Sequence, residues 1–87
     1  MLRLEDFPNA VAFAFEAAGG IGAAAKVCGR SYQALNKWRQ AGVLPRTEYT
    51  GETRYAELLA KRAAELGNAF SPEVLLQAAA PRKQEAA

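Results

Sequence analysis

IGAAAKVCGRSYQALNKWRQ, residues 21–40, is the stretch that decides the fold. Ile21, Ala24, Ala25 and Cys28 recur at i, i+3, i+4 and i+7, the spacing that lines one face of a helix with small apolar side chains. Ala34, Leu35 and Trp38 repeat that face further on, so Trp38 is expected in the core. Between the two helices stands Gly29, the residue that adopts a positive φ without steric cost. Ser31 follows, and its hydroxyl can accept a bond from an amide in the first turn of the second helix. Two short helices crossing at a tight corner, with Ala25 small where they meet, make a helix-turn-helix.

With Ala34, Leu35 and Trp38 turned inward, Tyr32, Gln33, Asn36, Lys37 and Gln40 are left on the opposite face. Such side chains read base edges from a helix laid in the major groove, Asn and Gln suiting adenine and Lys suiting guanine. Base contacts are therefore expected from Tyr32, Gln33, Asn36 and Lys37. The whole-chain charge of +2 says little, but no acid occurs between Glu16 and Glu48, an interval that holds Lys26, Arg30, Lys37, Arg39 and Arg46. A basic surface without counter-charges is the footprint of phosphate binding. Phosphate contacts are expected from Lys26, Arg30, Ser31, Arg39, Gln40, Arg46 and Thr47.

Residues 17–20 (AAGG), residues 24–38 (AAKVCGRSYQALNKW), Gly42 and Pro45 together resemble the lambda-repressor/Cro superfamily. Within it the chain is similar to the small phage and prophage Cro-like regulators, including the YdaS-type antitoxin branch, over roughly residues 11–64. It departs from them at Arg30, where the family usually carries a small aliphatic residue, and an Arg there can reach a phosphate instead. The resemblance implies a cytoplasmic, nucleoid-associated repressor in a bacterial host, which occupies its operator and blocks polymerase. A homodimer would read a palindrome whose half-sites lie about one helical turn, ~34 Å, apart. An alternative from another class is a protein-interaction module, an antitoxin or host-factor-binding phage protein that uses the helices only as a scaffold.

Eighty-seven residues make one small all-α domain, expected over residues 1–80 as a bundle of about five helices, with a disordered tail at 81–87. Asp6 or Asn9 is expected to cap a first helix reaching about Ala18. Residues 46–50 read as a polar loop. A longer helix is expected from the Thr50-Gly-Glu run to about Leu66, on a stripe of Tyr55, Leu58, Leu59, Arg62, Ala63 and Leu66. Ser71-Pro72-Glu73 is a further helix start. The chain has no His, and its one Cys faces inward, so neither a zinc site nor a Cys–His nucleophile can be assembled. The expectation is a non-enzyme without cofactor, metal or small-molecule ligand, and without a leader or membrane span. Residues 7–15 carry no charge, and a helix apolar all round is either wholly buried or an interface. In so small a domain the interface is the expected reading, with Phe7, Phe13, Val74 and Leu76 pairing two subunits.

Overall fold

The computed structural model describes residues 3–79, so the tail expected at 81–87 lies outside the described residues. The architecture is all-helical, as expected. After a 3-10 turn at Leu4–Asp6 come α1 (Ala10–Ala17), α2 (Ile21–Cys28), α3 (Tyr32–Ala41), α4 (Thr47–Thr50), α5 (Tyr55–Glu65) and α6 (Pro72–Ala78).

Local chemistry sets most of these boundaries. Asn9 is extended and caps α1, its Oδ1 accepting from the Ala12 amide at 2.8 Å. Ser31 does the same for α3 at the Ala34 amide, 3.1 Å away. At the end of α2, Gly29 adopts φ +66°, its amide donates to the Lys26 carbonyl, and the Arg30 amide donates to that of Ala25. This crossed pair of bonds closes the helix in a left-handed cap and turns the chain into α3. A Cβ at Gly29 would meet nothing within 4 Å, so substitution there is opposed by backbone strain alone. Gly29→Val is therefore expected to destabilise the domain by about 1–3 kcal/mol. Thermal unfolding checks it, and an unchanged Tm would show that the corner is not left-handed.

The hub of the core is α1, which packs against α2, α3, α5 and α6. Val11, Ala12, Ala14, Phe15 and Ala17 are buried within the chain itself, and α1 meets α2 at 86°. The uncharged run 7–15 thus owes most of its apolar character to burial, which the expectation of an interface had ranked second. Phe13 is half-buried between Phe7 and Phe70, each edge-on with centroids 5.8 Å away. The C-terminal helix closes the core, placing Leu75 and Ala79 inside. No single described helix is long and apolar enough to cross a bilayer.

Two sequence expectations are corrected. Thr47–Thr50 is a helical turn, where a polar loop was read. It is too short to show a period, and long-range bonds hold it, the Tyr49 hydroxyl donating to the Leu76 carbonyl at 2.7 Å. Burial, and then the nearby Glu48, push the Tyr49 phenol up from its ordinary pKa, which keeps that donor protonated. The second correction concerns α5, which starts at Tyr55 rather than near Thr50 and buries Tyr55, Ala56, Leu59, Ala60 and Ala63. Leu58 and Leu66 are exposed. Alanines on the inner face let α1 and α2 approach closely, and that packing outweighs the two leucines.

Candidate nucleic-acid interface

The face that α3 turns to solvent is set by what it buries. Leu35 is fully enclosed and Ala34 and Trp38 are half-buried against the core, so the remaining positions point outward. Tyr32 is 55% exposed, and Gln33, Lys37 and Gln40 are exposed beside it. Asn36 and Arg39 are half-buried, and the Arg39 guanidinium donates to Asn36 Oδ1 at 2.7 Å.

The corner between α2 and α3 is built by Arg30, Trp38 and Tyr55. The Arg30 guanidinium lies over the Trp38 ring, 5.9 Å from its centroid, and donates to the Tyr55 hydroxyl at 3.4 Å. Trp38 and Tyr55 stack at a 33° tilt with centroids 5.2 Å apart. An Arg where a small aliphatic residue was expected is thus accommodated by the Trp38 face and the Tyr55 hydroxyl, which hold its charge outside the core. Arg30 itself stays exposed.

From α2 to the residue before α4 the chain carries uncompensated cations. Among the described residues the ion pairs are Arg3–Glu5 and Arg62–Glu65, so Lys26, Arg30, Lys37, Arg39 and Arg46 have no acidic partner. Lys26 is exposed on α2, and Arg46 is exposed just before α4. Ser31 spends its hydroxyl as acceptor in the α3 cap, and the Thr47 hydroxyl is 3.1 Å from that of Thr53.

Away from α3, Phe7, Phe13 and Leu76 are half-buried, whereas Val74 is 57% exposed. Burial, then the coulombic effect of Glu48, push the Cys28 thiol up to about 12, with Arg30 acting in the opposite direction. A thiol so placed stays protonated at neutral pH and behaves as a small core side chain.

Three positions hold this surface in place through long-range contacts that no local pattern in the sequence announces. Asn9 does more than cap α1, because its Nδ2 also donates to the Arg39 carbonyl at 2.9 Å and so ties the end of α3 to the start of α1. Gly42, at φ +75°, leaves room for it, since a Cβ there would lie 3.2 Å from Asn9 Nδ2. Tyr55 was read only as part of a stripe, yet its ring and hydroxyl organise the α2–α3 corner. The third is Glu48, whose buried carboxylate accepts from Thr53 Oγ1 and from the Tyr55 and Ala56 amides, the latter two at 2.7 and 2.9 Å. Arg54, the residue before α5, makes no side-chain cap, so Glu48 takes that role from a distance.

No family model matches the chain, and no solved structure does. The chain is 57% identical over 37 residues to an 8.4 kDa Cro protein of Escherichia phage HK022, an alignment covering 42% of this chain and 49% of that protein. It therefore spans about half the length of the curated relative it matches. The Cro-like resemblance read in the residues thus has its counterpart in a phage Cro protein, to which this chain is similar over that stretch.

Proposed function

We propose that this protein is a sequence-specific double-stranded DNA-binding regulator, a Cro-like repressor that acts as a homodimer on a palindromic operator. The observation that carries the reading is the outer face of α3. Tyr32, Gln33 and Lys37 stand exposed on a helix whose inner face is locked into the core, and the cations from α2 to the residue before α4 have no acidic partner among the described residues. In this reading α3 enters the major groove and Tyr32, Gln33, Asn36 and Lys37 meet base edges. Lys26, Arg30 and Arg46 meet phosphates on either side, with Ser31, Gln40 and Thr47 near the backbone. The similarity to a phage Cro protein supports the same class.

Titrating labelled duplex with the protein across a salt series tests the reading. Phosphate neutralisation releases counterions, so affinity should fall steeply as salt rises. Replacing Lys26 or Arg46 by Ala should weaken binding to all sequences alike and flatten that slope by about one unit. Binding that ignores salt would point instead to an interaction module engaging a partner through apolar surface. The dimer is tested by sedimentation at micromolar concentration. Val74→Glu, at an exposed apolar position, should shift a dimer toward monomer without disturbing the core. A strict monomer that still binds one half-site would remove the palindrome from the mechanism.

A further inference from the structure

The bond between Arg39 and Asn36 constrains what Asn36 can read. A guanidinium only donates, so the Asn36 atom 2.7 Å from Arg39 Nη2 must be the carbonyl oxygen, and the orientation of the amide is fixed by chemistry. Asn36 Nδ2 has no partner among the described residues and is left to donate. Arg39 is itself anchored, because the Asn9 amide holds its carbonyl at 2.9 Å and Asn9 is fixed in the α1 cap. A chain of bonds therefore runs from the start of α1, through the backbone of α3, to one side chain on the outer face.

Bidentate recognition of adenine asks an amide both to donate to N7 and to accept from the N6 amino group. At Asn36 the acceptor already holds a cation, and that cation repels an approaching amino group. The pair instead offers N–H groups and positive charge, which match adjacent acceptors. Guanine is the base whose major-groove edge carries two, N7 and O6.

We propose that Asn36 and Arg39 form one reading unit for a G·C pair, with Asn36 donating to guanine and Arg39 acting as the positioning residue that fixes its amide. This rests on the duplex-binding reading above, and it moves Arg39 from the phosphate backbone to sequence choice.

The test is selection from duplexes randomised over about two helical turns, at one fixed salt concentration, with wild type, Asn36→Ala, Arg39→Ala and Arg39→Lys. The base pair whose preference disappears with Asn36→Ala is the one Asn36 reads. It should be G·C in the wild-type selection. Arg39→Ala should lose discrimination at that same pair by roughly tenfold or more while keeping preference elsewhere. Arg39→Lys, whose ammonium keeps the charge and can still donate the single bond to Asn36 Oδ1, should retain most of that discrimination. An A·T pair at that position would overturn the assignment. So would Arg39→Ala losing affinity evenly on every sequence, with a shallower salt slope and every preference intact. A wild-type chain that enriches no sequence would instead overturn the duplex reading, and this assignment with it.

Discussion

Glu48→Ala is expected to lower the stability of the fold by roughly 2–4 kcal/mol, enough to reduce Tm by more than about 10 °C in a domain of this size. The carboxylate is 8% exposed and accepts three hydrogen bonds, two of them from the first amides of α5. A helix leaves its first amides without internal partners, and here the alternative to Glu48 is burial without any. Truncation therefore removes more than a contact. It strands the Tyr55 and Ala56 amides in a region where water cannot replace the lost acceptor, and each such group carries a desolvation cost. The effect should reach the proposed interface, because the Tyr55 ring stacks on Trp38 and its hydroxyl accepts from Arg30. Glu48→Gln separates charge from shape. Its amide can accept through one oxygen only, so the loss should be smaller but in the same direction. Thermal unfolding of both variants measures it, and a Glu48→Ala protein that melts with wild type would show that the start of α5 is not held by this carboxylate.

Glu48 also marks where reading the sequence ran out. In one dimension it is the acid that ends a basic interval, and nothing in its neighbours points to α5. Its partners lie seven and eight residues on, beyond the reach of any capping pattern, which operates over three. The same non-locality hid α4, since four residues show no period and the bonds that hold it go to α5 and α6. The cap at Asn9 was legible, as one of two candidates beside Asp6, because the amide that donates to it lies three residues on. Its second bond, to a carbonyl thirty residues away, was not. Where the determinants are local, the reading was close. Gly29 and Ser31 shape the corner as their chemistry requires, and Ser71 with Pro72 opens α6. The face of α5 was misjudged for a different reason. Alanine contributes little to an apolar stripe on paper, but it is the residue that allows helices to approach, so Ala56 and Ala60 went inside beside the expected Tyr55, Leu59 and Ala63, and Leu58 and Leu66 did not.

The outer face of α3 was legible for the complementary reason: once Ala34, Leu35 and Trp38 are assigned inward, helical geometry leaves the others no choice. Gln33 and Lys37, four residues apart, are neighbours on that face and both are exposed. Neither forms a side-chain bond to another described residue, so each reaches a ligand without first breaking one. Residues near the start of a recognition helix reach base edges most directly, and in the proposed complex Gln33 in the first turn and Lys37 in the second would follow one another along the groove. Replacing either by Ala should weaken binding to the selected operator on the order of 10- to 100-fold, and binding to scrambled duplex far less. The difference arises because a lost base-edge bond counts only where the matching base is present, whereas a lost phosphate contact counts everywhere. The substitutions should leave the fold intact, since the buried side of α3 is untouched and Ala favours helix. Affinities of both variants for operator and scrambled duplex at one salt concentration decide the matter. Equal losses on the two duplexes would mean that Gln33 and Lys37 touch only the backbone, and the sequence-reading face would then have to lie elsewhere on α3.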